Sequence, residues 1–130
     1  MPIAELKTKI PQLLEQIQQD MLTRARAERD SRIKKVTEWK DFVPALQDGC
    51  MVLTPFCNET EWEETVKTKS REESLSLMGL EEEAENTATS AAAKTLCIPF
   101  EHNEDKIADG LKCFVSGKPA TCWILWGRSY

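Results

Sequence analysis

Five cysteines and one histidine are the side chains of this sequence best suited to nucleophilic or metal chemistry. The cysteines are Cys50, Cys57, Cys97, Cys113 and Cys122, an odd number with no two closer than seven positions. Structural zinc is usually delivered by close cysteine pairs, because one backbone turn then sets two corners of the tetrahedron. Cys57, Cys97, Cys113 and Cys122 all fall at or near expected strand ends, but none has a close partner in sequence. Their spacing favours buried thiols acting as small hydrophobes over a metal site or a secreted disulfide framework. A Ser-His-Asp or Cys-His site would have to use His102, which sits in a polar loop among charged neighbours, where a solvated histidine is the simpler reading. Neither GxxxxGK nor GxGxxG occurs, so no phosphate-cradling loop is present.

The elements that must position these thiols can be read along the chain. Its 130 residues suit one compact domain with an appendage, 41% hydrophobic and 30% charged, with no apolar run long enough to span a membrane. Charged residues among the first ten replace the apolar stretch of a signal peptide, which makes the chain read as cytoplasmic. Ile3, Leu6, Ile10, Leu13, Leu14, Ile17, Met21 and Leu22 recur at three-and-four spacing and predict a long helix, with a bend or fresh start at Pro11. Residues 1–40 carry nine Lys or Arg against six Asp or Glu; the other ninety carry eight against sixteen. Any anion-binding face therefore belongs to the N-terminal third. Arg24, Arg26, Arg29, Arg32, Lys34 and Lys35 form a basic helix end that either complements the helix dipole or contacts phosphates.

Thr37 is the expected N-cap of a second helix near 38–48, with Pro44 kinking it or delaying its start and Gly49 stopping it. A third helix is expected near 59–72. Strands are expected at Cys50–Phe56, Thr95–Phe100, Lys112–Ser116 and Thr121–Trp126, the last two joined as a hairpin through Gly117-Lys118-Pro119. Residues 72–94, with six glutamates and no aromatic residue, read as a flexible acidic loop. The result is an α/β (α+β) domain: a long N-terminal helix, then a small mixed or antiparallel sheet covered by helices and ending in a β-hairpin. Its expected core is Trp39, Phe42, Leu46, Leu53, Trp62, Ile98, Phe114 and Ile124.

The succession KIPQLLEQIQQDMLTRA, TPFC, TLCIPF, KCFVSGKPA and a terminal WGRSY resembles the C-terminal region of eukaryotic and archaeal-type prolyl-tRNA synthetases across essentially the whole chain. The resemblance implies that residues 1–36 form a helical connector from an anticodon-binding domain and that 37–130 form the synthetase's C-terminal domain. It implies a non-catalytic domain with no cofactor of its own. The parent would be a class II proline–tRNA ligase, homodimeric and dependent on ATP and Mg²⁺, whose catalytic and anticodon-binding domains are this domain's partners. The family's zinc is held by one cysteine pair after the first strand and another at the hairpin. Cys57 and Cys113 match the first member of each pair, but Trp62 and Val115 stand at the partner positions. The resemblance thus implies no metal here, only the vestigial positions Cys57 and Cys113, with Trp62 and Val115 filling the space. It also implies that a tail carrying Arg128 and Tyr130 reaches toward the parent's active site. The alternative is a free-standing tRNA-binding or complex-assembly module that uses the basic helix end.

Overall fold

A computed structural model describes residues 2–79, 91–103 and 107–128. The chain divides into two units, Met1–Arg32 and Ile33–Tyr130. The first is the helix α1, Ile3–Ser31, with no buried residue. It runs through Pro11 as one helix, although the proline forfeits a backbone bond to the Lys7 carbonyl. Pairs four residues apart brace its polar side, Gln19 donating to Glu15 at 2.9 Å and Gln16 to Asp20 at 2.8 Å. The apolar stripe expected from the sequence is there, exposed from Ile3 to Leu22 apart from the half-buried Leu6.

The second unit contains β1 (Ile33–Lys35), α2 (Trp39–Gln47), β2 (Met51–Phe56), α3 (Thr60–Met78), β3 (Ala93–Cys97), the short α4 (Phe100–Asn103) and β4 (Cys122–Arg128). The mixed sheet has the order β1-β2-β4-β3, with β1 parallel to β2 and the other pairs antiparallel. This is the expected architecture, with several local corrections. Strand β1 was hidden in what reads as a continuing helix, because two of its three residues are lysines. Helix α2 begins at Trp39 after Glu38, so Thr37 is not its cap and Pro44 does not delay it. Gly49 ends that region with φ +74°, a conformation that glycine alone reaches at no steric cost.

Helix α3 extends past residue 72 to Met78 and is capped by the left-handed Gly79. At the other end of the expected loop, Ala91, Ala92 and Ala93 are buried, and Ala93 already begins β3. The remainder of that acidic stretch lies outside the described residues.

Lys112–Ser116 does not form a regular strand. The hairpin leading into β4 is instead a compact loop. It is closed by a single bridge between Lys112 and Pro119, with Cys113 N–H donating to Lys118 O at 2.7 Å and Ala120 N–H to Leu111 O at 3.0 Å. Gly117, at φ +71°, makes the reversal possible. Thr95–Cys97 joins the sheet, but Ile98 does not, and it is 44% exposed where a core position was expected.

The even-numbered residues of β2 and β4 meet α2, α3 and the hairpin loop. Val52, Phe56, Ile124 and Trp126 pack with Phe42, Val43, Leu46, Val66 and Phe114. Phe42, Phe56 and Phe114 surround the Trp126 ring with centroids 5.5–5.9 Å away. Trp39 and Trp62 are half-buried and pack on the edge of this cluster rather than within it.

Strand β4 continues through Gly127, which pairs with Lys94 instead of turning the chain. A Cβ at Gly127 would lie 3.0 Å from Leu96 Cδ1, the end of a half-exposed side chain free to swing aside. The removed backbone entropy of the unfolded state offsets that adjustment. Gly127→Ala is therefore expected to keep stability within about 0.5 kcal/mol in urea unfolding; a loss several times larger would show that Leu96 is pinned.

Candidate functional site

Cys57 follows β2, Cys113 opens the hairpin loop, and Cys122 begins β4; all three are buried. Backbone bonds hold their segments side by side. Phe114 N–H donates to Pro55 O at 3.0 Å and Thr121 N–H to Phe56 O at 2.8 Å. Cys57 and Cys113 share the core cluster, and the Ser116 hydroxyl donates to Cys57 Sγ at 3.7 Å. Cys122 Sγ lies 3.8 Å from Phe56 O.

The two paired thiols are polarised in opposite senses. Burial pushes Cys113 up. Hydrogen bonding to Ser116 and to the backbone amides of Val115 and Cys57 outweighs it, and holds its pKa below the ordinary thiol value. At Cys57 burial prevails over bonds from Ser116 and Glu59, with Cys113 adding to the rise. Burial likewise raises Cys122, helped by the charges of the other two sulfurs.

Trp62 and Val115, which the resemblance sets at the partner positions, stand half-buried against the core cluster, and neither side chain carries a donor that zinc uses. Among the described residues no group of three His, Cys, Asp or Glu side chains is placed to hold a metal. Cys97, expected like the others near a strand end, is exposed on β3, and Cys50 is half-buried between α2 and β2. At the rim, Lys118 Nζ pairs with Glu59 at 2.6 Å and lies 5.9 Å from the Trp62 ring centre. Sequence spacing alone did not bring Cys57 and Cys113 into one cluster; the bonding of the hairpin loop to the end of β2 does.

The basic residues do not form one helical face. Arg24, Arg26 and Arg29 are exposed on α1, Arg32 follows that helix, and Lys34 and Lys35 stand on β1. Lys34 Nζ pairs with Asp48 at 2.7 Å, and Lys35 Nζ lies 4.2 Å above the Trp123 ring centre. His102 falls on the short helix α4 rather than in an irregular loop.

Arg128 ends β4 half-buried. It donates to Ser74 Oγ at 2.7 Å and to Gln47 Oε1 at 3.5 Å, and its Nε is buried without a hydrogen-bond partner. Burial pulls its pKa below the usual arginine value. Tyr130 lies outside the described residues.

Comparison with known proteins accounts for this arrangement. A crystal structure of prolyl-tRNA synthetase from Cryptosporidium parvum, complexed with halofuginone and AMPPNP, matches the whole of this chain with a TM-score of 0.79 and 30% identity, over 23% of its own length. The cytoplasmic proline–tRNA ligase of Arabidopsis thaliana is 37% identical across 99% of this chain and 21% of its own. The bifunctional glutamate/proline–tRNA ligase of Drosophila melanogaster is 39% identical across 99% of this chain and 7% of its own. The chain spans about a fifth or less of the length of these curated relatives. The family model for the C-terminal region of prolyl-tRNA synthetase matches residues 39–130, and the chain belongs to that family.

Proposed function

We propose that the chain acts as the non-catalytic C-terminal part of a cytoplasmic proline–tRNA ligase, supporting an enzyme that attaches proline to its tRNA at the expense of ATP, with Mg²⁺. The observation that carries this reading is the match of the entire chain to one end-to-end segment, about a fifth, of much longer proline–tRNA ligases. The described residues contain no helix long and apolar enough to cross a membrane.

Two surfaces support packing within such a parent. The apolar stripe of α1 is exposed, as befits a connector that docks on an anticodon-binding domain. On the second unit Leu96, Ile98 and Phe100 are exposed, with Phe100 89% accessible, and offer an apolar contact for a catalytic domain. In a homodimeric parent the exposed arginines of α1 would meet tRNA, and the tail from Arg128 to Tyr130 would reach the active site, where the terminal carboxylate forms charge-assisted hydrogen bonds.

The test compares three proteins in proline-dependent pyrophosphate exchange and tRNA charging: the 130-residue chain, the full-length parent, and the parent ending at Arg128. The short chain is expected to be silent in both assays. The shortened parent is expected to charge tRNA about tenfold more slowly, the loss of roughly one charge-assisted contact in the transition state. Proline adenylation by the short chain would overturn the non-catalytic reading; wild-type charging by the shortened parent would remove the tail's role.

The zinc site of this domain is read as degenerate, since two half-buried apolar side chains occupy the positions that would complete it. Treatment of the purified chain with a chelator should leave its Tm unchanged within about 1 °C, because no folding free energy is tied to metal. Stoichiometric zinc together with a falling Tm would show that Cys57 and Cys113 recruit further ligands.

A further inference from the structure

We propose that Arg128 is a positioning residue of the parent ligase, whose guanidinium clamps the end of β4 to α2 and α3 and so fixes where the tail leaves the domain. This rests on the role of the tail at the active site proposed above, and makes Arg128 an anchor rather than a reaching group.

The clamp is a closed triangle drawn from three elements. Arg128 Nη2 donates to Ser74 Oγ on α3 at 2.7 Å, and Nη1 donates to Oε1 of Gln47, the last residue of α2, at 3.5 Å. Gln47 Nε2 donates in turn to the Ser74 carbonyl at 3.4 Å. Ser74 has no exposed surface and Gln47 is half-buried, so both acceptors are themselves held in place. The backbone of Arg128 is fixed as well. It pairs with Ala93 of β3, whose N–H donates to Ser70, one turn before Ser74 on α3. Main chain and side chain are thus both tied two residues before the end of the sequence, in a region where chains are usually loose.

Both acceptors are uncharged and Nε is buried without a partner, so the bonds only partly offset the burial of the cation, which pulls its pKa down. An apolar side chain of similar length would serve plain stability with less desolvation. The planar fork adds something else: it reaches acceptors on two helices at once and sets the angle of the strand end between them. The carbonyl end of α2, whose dipole favours a cation, lies at the Gln47 arm. A tail held at its base loses less freedom on entering an active site, and misplacing a reaching group by about 1 Å slows a reaction many-fold.

The test uses the full-length parent and the parent ending at Arg128, assayed for tRNA charging with the Tm of each protein measured alongside. In the full-length parent, Ser74→Ala removes an acceptor 54 positions away from the arginine and is expected to slow charging about threefold. Arg128→Gln should approach the roughly tenfold loss caused by removing the tail. Both losses should divide between kcat and KM as tail removal does. In the parent ending at Arg128, Ser74→Ala should slow charging no further, because the group it positions is gone. Plain destabilisation would act in both backgrounds. Full-rate charging by either variant while tail removal is slow would overturn the clamp, as would a further loss from Ser74→Ala in the shortened parent. If Ser74→Ala does not fold, Gln47→Met is read in its place in both backgrounds. Wild-type charging by the shortened parent would remove the tail's role and the clamp with it, a result seen without any clamp variant and therefore distinct from failure of the clamp alone.

Discussion

Replacing Trp126 by alanine is expected to destabilise the second unit by about 4 kcal/mol, enough to leave a marginally stable domain largely unfolded at 37 °C. The indole is fully buried. Its ring meets Phe42 and Phe56 edge-on at 5.9 and 5.5 Å and Phe114 at 5.9 Å, so one truncation strips contacts from α2, β2 and the hairpin loop together. The loss also has a polar part. Trp126 Nε1–H donates to Thr54 Oγ1 at 2.8 Å, and Thr54 is itself fully buried on β2. Alanine leaves that hydroxyl oxygen without its donor as well as opening a cavity. Trp126→Phe helps to separate the two contributions, since it keeps one aromatic ring in the cluster while removing the N–H and the rest of the indole. Urea unfolding should place the phenylalanine variant much nearer wild type than the alanine variant. Equal losses would mean that the hydrogen bond, not packing, dominates; a loss below about 1 kcal/mol for alanine would mean the cluster repacks around the gap.

The parts of this fold that were readable in the sequence are those in which local pattern and burial agree. β2 and β4 are short apolar runs bounded by turn residues, and both are buried almost throughout. α2 shows its inner face as Phe42, Val43 and Leu46 at helical spacing. β1 was not readable, because Ile33-Lys34-Lys35 carries the composition of the helix it follows; its strand character comes only from parallel pairing with Met51–Leu53. The first arm of the hairpin failed for the opposite reason. Lys112–Ser116 has strand-like residues, but Phe114 is drawn to the core and Cys113 bonds across to Lys118, which curls the segment into a loop. Ile98 shows the limit of counting apolar residues: the pairing of β3 with β4 ends at Cys97, so Ile98 leaves the sheet and faces outward.

The candidate site was legible as a set of residue types but not as a geometry. The identities of Cys57 and Cys113, and the absence of their partner cysteines, can be read from one line of sequence. Which thiol is held as the better anion cannot. That depends on the surroundings of each sulfur in the closed loop, where burial raises the Cys57 pKa and hydrogen bonding to Ser116 and nearby amides lowers that of Cys113. The same holds for Arg128, a fixed cation in sequence terms. Its placement against the uncharged Ser74 and Gln47, with one buried N–H left over, follows from β4 running two residues beyond Trp126.

Ser70→Ala is expected to cost about 2 kcal/mol, a large effect for the removal of one oxygen atom. Ser70 lies on α3 with no exposed surface, and its Oγ accepts the Ala93 N–H at 2.9 Å while donating to the Lys67 carbonyl at 3.1 Å. Ala93 is the first residue of β3 and pairs with Arg128 of β4. The serine therefore fastens the chain where it re-enters the sheet after the acidic stretch, a role reinforced by the Leu75–Ala91 contact one turn further along α3. Alanine would leave the Ala93 N–H buried without an acceptor, and the full desolvation cost of that group would fall on the folded state. Because β3 is an edge strand, part of the loss should appear as local opening. Hydrogen exchange at the Ala93 amide should accelerate more than at the amides of β2, alongside a fall in Tm of roughly 10 °C. Equal acceleration in β2 and β3 would show that the edge opens only with the whole unit. An unchanged Tm would show that another acceptor, or a water, takes the place of the hydroxyl.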